Sequence, residues 1–255
     1  MEMAAGDANE SEGVQTPPAL KKESVADIGT DHGLLALGLA VTGKYSTVTG
    51  VDVSDQALTY GALAMLEKIR NQTKTFDEDG FDSSPELPVE FRLGNGLEAL
   101  EFGEADVICI AGLGVNTMLQ ILEQEGDDGR NLEKIGCKRL VLQATNSRPR
   151  NLILLYDWLQ EMGWKVEDER IEYLSSRWYI TVRFELRDSN QGESSELELP
   201  GSKLQSLSDE HSMRQIFNEY CLHHKKWIET DAKLPSYQMD PGDGRWLEYF
   251  FKETI

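Results

Sequence analysis

Short apolar runs alternate with amphipathic segments from residue 24 to residue 187. Uninterrupted apolar runs are typical of strands buried on both faces of a parallel sheet, whereas apolar residues three and four apart are typical of helices. The runs predict five strands, in SVADIG, TVTGVDVS, VEFRLG, ADVICIAGLG and RLVLQAT. The intervening segments predict helices, in LLALGLAVTG, QALTYGALAMLEKIR, NGLEAL (one short turn), NTMLQILEQ and RNLILLYDWLQEM.

Two further strands follow, KVEDERIEYL and RWYITVRFEL, joined at Ser175–Ser176. The second alternates strongly, which predicts that one of its faces is buried. The residues of that face are Trp178, Ile180, Val182 and Phe184. Five βα units followed by an antiparallel pair predict an α/β fold, in which a doubly wound sheet carries a C-terminal β-hairpin at its edge.

The last part of the chain predicts a small α-helical extension. Ser208 is a suitable N-cap, with Asp209 and Glu210 in the first turn of the helix after it. The apolar residues of that helix share one face: Met213, Ile216, Phe217, Tyr220 and Trp227. We expect this face to pack within the protein rather than to bind a partner. The predicted divisions are an acidic disordered tail at 1–22, a main domain at 23–187 with a flexible insertion at 71–88, a linker at 188–202 and the extension at 203–255.

The chain is strongly acidic, with 45 Asp and Glu against 25 Lys and Arg and a formal net charge of −20. More than half of this excess is local, because segments 1–24, 71–88 and 188–201 carry net charges of −3, −4 and −4. These segments are poor in apolar residues, which predicts little stable structure. Overall charge therefore does not predict phosphate binding, and any nucleic-acid site has to be a local basic patch.

The three cysteines are far apart and form neither a disulfide framework nor a metal-binding pattern. This predicts a reducing compartment and no metal site. The first residues, MEMAAGDANE, lack the basic and apolar order of a signal peptide, and no apolar run reaches the length of a membrane span. We expect a monomer without membrane attachment in the cytoplasm, or in an organelle if a further segment precedes this N-terminus.

Ligands of open α/β sheets bind outside the carboxyl ends of the strands. Four predicted strand ends carry polar or glycine-rich turns, with sequences DIGTDHG, DV, GNG and AGLG. Glycine allows the backbone to approach a ligand closely, Asp52 can accept hydrogen bonds from both hydroxyls of a ribose, and Asn95 can accept from an adenine amino group. The pattern predicts a nucleoside cofactor. Its candidate binding residues are Asp27, Gly29, His32, Gly33, Asp52, Val53, Asn95, Gly96, Ala111, Gly112, Leu113 and Gly114.

The first turn decides which cofactor fits best. It lacks the Gly-x-Gly-x-x-Gly pattern of dinucleotide sites, whose nearest match lies after the fourth strand, at residues 112–117, and ends in Thr117. An acidic turn disfavours a pyrophosphate and favours the sulfonium of S-adenosylmethionine, which carries no phosphate. We therefore expect S-adenosylmethionine. Asp27 is expected to brace the turn or approach the amino-acid part of this cofactor, and His32 is better suited to packing or capping than to proton transfer.

Four motifs resemble those of the bacterial tRNA (adenine-22 N1)-methyltransferases, the TrmK family. That family has DIGSDHAYLP, GDGL, IAGMGG and LILQPN, and this chain has DIGTDHGLLA, GNGL, IAGLGV and LVLQAT. The resemblance covers residues 24–187 and, more loosely, 203–235. It implies a class I methyltransferase (Rossmann-like) fold, S-adenosylmethionine as donor and a tRNA adenine as acceptor.

An adenine N1-methyltransferase has to orient the base and stabilise the positive charge that develops on it. Asp31 is the first candidate for holding the N6 amino group, although it also suits a turn aspartate that bonds backbone amides or a residue that contacts only the cofactor. Gln143, just after the fifth strand, is a candidate contact to the acceptor base or a sheet-end hydrogen-bonding group. The candidate RNA-binding residues, each of which is also compatible with a solvated surface, are Arg148, Arg150, Lys138, Arg139, Lys225 and Lys226.

The chain departs from the family motifs at Asn95, where the family has Asp, and at Val115, where it has Gly. Two alternatives therefore stay open. One is a non-catalytic protein that keeps the methyltransferase fold and the cofactor. The other is a methyltransferase that acts on a protein or a small molecule.

Overall fold

The structure, a computed structural model, describes residues 22–75, 79, 86–126, 129–145, 147–187, 197–234 and 238–251. The predicted acidic tail lies outside these residues except for Lys22, as do residues 76–78 and 80–85 of the predicted insertion and residues 188–196 of the predicted linker. The helices are α1 Leu34–Val41, α2 Asp55–Ala57, α3 Ala64–Gln72, α4 Val115–Leu122, α5 Asn131–Ile135, α6 Pro149–Glu161, α7 Ser202–Gln205, α8 Ser212–Asp231 and α9 Pro241–Phe251. A π-helical stretch, Leu58–Leu63, joins α2 to α3, and a 3₁₀ turn forms at Gly96–Ala99.

Seven strands form the main sheet, and two short ones form a separate ladder. The strands are β1 Ser24–Ile28, β2 Thr47–Asp52, β3 Val89–Leu93, β4 Val107–Leu113, β5 Glu125–Gly126, β6 Gly129–Arg130, β7 Arg139–Ala144, β8 Trp164–Leu174 and β9 Arg177–Leu186. The sheet order is β3-β2-β1-β4-β7-β9-β8. The first five of these pair in parallel, and β9 runs antiparallel to both β7 and β8. The predicted doubly wound sheet with a hairpin at its edge is confirmed.

The apolar patterns have the burial that the sequence predicts. Ile180, Val182 and Phe184 of β9 are at most 2% exposed, and Phe184 meets Tyr156 of α6 edge-to-face, with ring centroids 5.1 Å apart. Burying a side chain of this size contributes roughly 1.5–3 kcal/mol. The larger core cluster continues from the sheet through α6 into α8 and α9, where it includes Tyr220 and Trp246. The C-terminal helices are thus part of the same core as the sheet.

A buried carboxylate fastens the C-terminal helices to the hairpin. Glu169 of β8 is 2% exposed and accepts hydrogen bonds from the Tyr156 hydroxyl (2.5 Å) and from the backbone amides of Gly201 (2.7 Å) and Lys203 (2.8 Å). Burial raises its pKa, and these hydrogen bonds oppose the rise. The carboxylate therefore accepts hydrogen bonds from backbone amides at the start of α7. The first amides of a helix have no acceptor within the helix itself.

The predicted start of the long C-terminal helix is wrong. Ser208 does not cap it; instead its carbonyl accepts a hydrogen bond from the His211 amide, which closes a turn before the helix. The helix begins at Ser212, and Nδ1 of His211 accepts a hydrogen bond from the Met213 amide at 3.2 Å. The acidic residues Asp209 and Glu210 consequently lie outside the helix.

Candidate functional site

A cleft of about 640 Å³ opens at the carboxyl ends of β1, β2 and β4. This is where the strand order reverses, since the chain passes from β1 to β2 on one side and to β4 on the other. The residues that line it are Ile28, Gly29, Asp31, Val51, Asp52, Val53, Gly94, Asn95, Gly96, Ala111, Gly112, Leu113, Thr117, Gln120, Ile121 and Gln124.

Most of the residues predicted for the cofactor lie in this lining. Those present are Gly29, Asp52, Val53, Asn95, Gly96, Ala111, Gly112 and Leu113, together with Asp31. Asp27, His32, Gly33 and Gly114 lie outside the lining. Asp27 lies near the end of β1, and His32 and Gly33 belong to the turn that carries Asp31.

The turn after β1 is held by the neighbouring strand. The amides of Gly29 and Thr30 donate hydrogen bonds to the Val51 carbonyl, at 2.8 and 3.0 Å. The Asp31 amide donates to Oδ2 of Asp52 at 2.8 Å. Asp31 has a φ of 50°, which places it in the left-handed region that aspartate tolerates better than most residues. Asp31 is one of the residues that line the cleft.

Asp52 connects the turn to the following helix. Its other oxygen, Oδ1, accepts a hydrogen bond from the Ser54 amide at 2.9 Å, and Ser54 is the N-cap of α2. The carboxylate therefore binds two backbone amides from two loops. Since a carboxylate has about four acceptor positions, it keeps capacity for further donors.

Asp27 lies beneath the turn and is 2% exposed. The Thr30 hydroxyl donates to its Oδ2 at 2.7 Å, and the Ala36 amide in the first turn of α1 donates to it as well. Burial raises the pKa of this carboxyl from 3.8 to about 6, with a further rise from the charge of Asp52. Asp27 thus caps α1 from the strand, which is useful because Gly33 at the N-cap has no side chain to do so.

His32 lies beside Asp31 and packs on the π-helical stretch. Its Nδ1 is 2.8 Å from Oδ2 of Asp31, and both side chains are mostly exposed. A Cβ atom on Gly61 would lie 2.9 Å from Cα of His32, closer than such contacts allow. Glycine at position 61 therefore permits the turn to approach the helix. Single π-helical turns are rare in proteins and often occur at functional sites.

The opposite wall comes from α4 and the 3₁₀ turn, and sequence reasoning missed it. Oε1 of Gln124 accepts a hydrogen bond from the Leu97 amide at 2.8 Å, and its Nε2 donates to the Asn95 carbonyl at 3.4 Å. The missed lining residues are Thr117, Gln120, Ile121 and Gln124. Thr117 and Gln120 lie three positions apart on α4, a helical spacing that indicates one shared face, and Gln124 follows the end of that helix.

The lining has a negative electrostatic character. Asp31 and Asp52 contribute two carboxylates, and none of the described lining residues is basic. Such a lining favours a cationic ligand and repels a phosphate. Among the described residues, no group of three or more His, Cys, Asp and Glu side chains is arranged to hold a metal ion. No helix in the described ranges combines the length and apolar character needed to cross a bilayer.

Gln143 lies one strand away from the cleft. It is on β7, next in register to the lining residue Ala111 on β4 and to Thr181 on β9, and it is half-buried. The loop after it is tied at Ser147, whose hydroxyl donates to the Trp178 carbonyl at 2.9 Å. The neighbouring position 146 lies outside the described residues.

The predicted basic residues fall into two groups. Arg148 and Arg150 follow β7 at the cleft edge of the sheet, where Cζ of Arg148 is 3.7 Å from the ring centroid of Trp227 on α8. Lys225 and Lys226 lie on the same helix, next to Trp227, and Lys226 is exposed. A guanidinium at this distance from a ring is held by a cation–π interaction.

Lys138 and Arg139 are at the other end of the sheet. They precede or begin β7, whereas the cleft lies beyond the ends of the parallel strands. Lys138 is 3.4 Å from Asp106, and Arg139 pairs with Glu23 at 2.8 Å and Glu185 at 3.4 Å. These two residues do not share a surface with Arg148, and their pairing with acids gives them a structural role.

The sheet order and the cleft define a class I methyltransferase fold. The chain belongs to the methyltransferase domain family, whose model matches residues 18–182. It is 28% identical over 164 residues to the tRNA (adenine(22)-N(1))-methyltransferase of Bacillus subtilis (strain 168). That match covers 64% of this chain and 59% of the relative, so less than two thirds of the relative is spanned.

Two solved structures have the same fold. The B. subtilis m1A22 tRNA methyltransferase TrmK matches with a TM-score of 0.56 and 20% identity, over 90% of this chain and 88% of that one. M. capricolum TrmK, in complex with S-adenosyl-homocysteine, matches with a TM-score of 0.55 and 23% identity, over 89% and 86%. The identity to the B. subtilis enzyme confirms the resemblance to the TrmK family that the motifs predict, and these two structures show the same fold.

Proposed function

We propose that this chain transfers a methyl group from S-adenosylmethionine to N1 of an adenine in tRNA. The observation that carries the proposal is the lining of the cleft, which pairs two carboxylates with no basic side chain among its described residues, in a chain of the methyltransferase family. A sulfonium is favoured in such a cleft. The volume of about 640 Å³ is within the range of cofactor sites.

The lining residues suit this cofactor, which supplies an electrophilic methyl group when bound. We assign Asp52 to the ribose hydroxyls, because it keeps acceptor capacity beside its two amide hydrogen bonds. Asn95 and the wall that contains Gln124 are assigned to the adenine. Gly29 and Gly112 give the backbone close access, and Asp31 supplies a negative charge toward the sulfonium.

Asp27, His32 and Gly33 act on the cofactor through the turn that they shape. Asp27 braces that turn from below through Thr30, and His32 holds Oδ2 of Asp31 from the side. We include these residues, with Gly114 at the N-cap of α4, as supports of the cofactor site rather than as contacts.

On the acceptor side, we assign Asp31 to the N6 amino group of the adenine. Its carboxylate is exposed at the cleft and would stabilise the positive charge that develops as N1 is methylated and N6 loses a proton. Gln143, one strand further along the same edge, is assigned a contact with the acceptor base. Positioning of this kind can account for roughly 7–11 kcal/mol of the barrier.

The similarity to tRNA methyltransferases supports tRNA as the acceptor. Arg148, Arg150, Lys225 and Lys226 are the candidates for a local basic patch at the cleft edge of an otherwise acidic protein. Arg150 lies 3.9 Å from Asp243 and Lys225 lies 3.9 Å from Glu229, so these two are partly compensated. We also propose that the chain acts as a monomer in the cytoplasm, where three free cysteines are expected to stay reduced.

The test is incubation with radiolabelled S-adenosylmethionine and total RNA, followed by nucleoside analysis. Labelled 1-methyladenosine in the tRNA fraction is expected. Asp31→Asn, which tolerates the same left-handed backbone, is expected to lower turnover by roughly 10- to 100-fold. Cofactor binding with no labelled RNA would support a non-catalytic protein instead. Labelling that persists in a lysate treated with RNase, with no label in RNA, would support a protein or small-molecule acceptor.

A further inference from the structure

Three aromatic side chains form a continuous row at the end of the β8–β9 hairpin. Tyr173 and Trp178 are cross-strand partners with ring centroids 4.7 Å apart, and His223 of α8 lies 4.6 Å from Trp178 on its other side. Tyr173 is 47% exposed, His223 is exposed and Trp178 is half-buried. We call this row, Tyr173–Trp178–His223, the aromatic platform; none of its members lines the cleft.

The aromatic platform lies at the same edge of the sheet as the cleft. The Trp178 carbonyl accepts the hydrogen bond from the Ser147 hydroxyl, and Ser147 follows β7. In the sheet, β9 is two strands from β4, which corresponds to roughly 10 Å at 4.7–4.9 Å per strand. Because stacked nucleotides rise about 3.4 Å each, a single-stranded stretch of a few nucleotides covers this distance.

Two basic residues lie near the aromatic platform, in contrast to the acidic cleft. Arg148 lies in the loop that the platform anchors, and Lys226 is exposed one turn after His223. The acidic neighbour of Tyr173, Glu172, points to the opposite face of the hairpin, since successive side chains alternate. A polyanion that reaches Asp31 is therefore attracted from this side and repelled over the cleft itself.

We propose that the aromatic platform stacks an unpaired base of the RNA, next to the adenine that is methylated. Exposed aromatic rings beside cationic groups are the usual means of holding unpaired nucleotides, and each stacked base is worth about 1–3 kcal/mol by alanine substitution. The inference rests on the proposed function, because it takes the acceptor to be RNA. It assigns a role to Tyr173 and His223 that the cofactor site does not require.

The experiment compares Tyr173→Ala and His223→Ala with wild type, because both side chains are exposed and their removal leaves Trp178 packed against the core. Fluorescence anisotropy measures binding of labelled tRNA, and calorimetry measures binding of S-adenosylmethionine. Each variant is expected to weaken tRNA binding by roughly 5- to 100-fold, with unchanged cofactor affinity. Tyr173→Phe and His223→Tyr keep a ring and are expected to bind tRNA like wild type.

The matched control is Phe102→Ala, since Phe102 is 82% exposed but precedes β4, at the other end of the sheet. It is expected to leave tRNA binding unchanged. If both alanine variants bind tRNA within twofold of wild type, the aromatic platform is not an RNA site, whether or not the protein methylates tRNA. If tRNA binding depends on the rings but wild type forms no methyladenosine, the platform stands and the proposed function fails. If wild type does not bind tRNA, both fail.

Discussion

The hydroxyl of Tyr220 donates a hydrogen bond of 2.5 Å to the backbone carbonyl of Ser147. Tyr220 is fully buried on α8, and Ser147 lies in the loop between β7 and α6. The side chain of the same serine is held by the Trp178 carbonyl on β9. The C-terminal extension and the hairpin thus fix, from two sides, the loop that follows Gln143 toward the acceptor side of the cleft.

We predict that Tyr220→Phe weakens the use of tRNA without weakening the binding of the cofactor. The substitution leaves the Ser147 carbonyl without its buried donor, which lowers the free energy of unfolding by about 1–3 kcal/mol. The loop is then held less firmly, so KM for tRNA should rise while the Kd for S-adenosylmethionine stays the same. Denaturant unfolding, calorimetry and steady-state kinetics measure these three quantities. The control is Tyr249→Phe, on α9 and 53% exposed, which should leave all three quantities unchanged. If Tyr220→Phe raised the Kd for S-adenosylmethionine as much as the KM for tRNA, the prediction would be contradicted.

Asp52→Ala is predicted to weaken cofactor binding. It removes the acceptor for the Asp31 and Ser54 amides and the group assigned to the ribose. Since hydrogen bonds to a charged group contribute about 1.5–3 kcal/mol, the Kd for S-adenosylmethionine should rise roughly 10- to 100-fold. Asp55→Ala removes a carboxylate from the first turn of α2, outside the lining, and should leave the Kd unchanged. Calorimetric titration decides; a Kd within twofold of wild type would rule out Asp52 as a ligand of the cofactor.

Gly61→Ala and Gly38→Ala form a matched pair of helical substitutions. A Cβ at position 38 meets no atom within 4 Å, so alanine should stabilise α1 by about 0.5–1 kcal/mol. A Cβ at position 61 would lie 2.9 Å from His32, so the turn that carries Asp31 has to move. We expect Gly61→Ala to lower the melting temperature and weaken cofactor binding several-fold. Melting curves that rise for both variants would show that His32 is not packed as described.

Asp27 should make stability depend on pH. The folded protein keeps this proton up to about pH 6, whereas the unfolded chain loses it near 3.8. Between these values the folded state binds more protons, so the free energy of unfolding falls as pH rises. The fall attributable to Asp27 is about 3 kcal/mol, on the basis of about 1.4 kcal/mol per pKa unit.

The measurement is urea unfolding of wild type and Asp27→Asn between about pH 4 and pH 7. The substituted side chain cannot ionise, so the stability of wild type relative to the variant should decline across this range. Taking the difference cancels the titration of the other acids. Parallel stability curves would show that the pKa of Asp27 is near its ordinary value.

The amino-acid sequence by itself determined the fold class and the strand ends that form the cleft. Buried parallel strands produce apolar runs that need no knowledge of their neighbours, and the alternation of β9 records its single buried face. Gly29 and Asp31 follow β1 within three residues, and Asp52 ends β2. Because ligands of an open α/β sheet bind at the carboxyl ends, their place along the chain was enough to bring them together.

Only the tertiary structure decided the partners that are distant in sequence. Gln124 reaches Leu97 because α4 folds back over the 3₁₀ turn, and Asp27 is buried because α1 and the sheet close around it. Arg139 and Arg148 are nine positions apart but lie at opposite ends of β7, so one pairs with acids and the other stacks on Trp227. Local periodicity is set by neighbours along the chain, whereas burial, ion pairing and pKa depend on which elements meet in space.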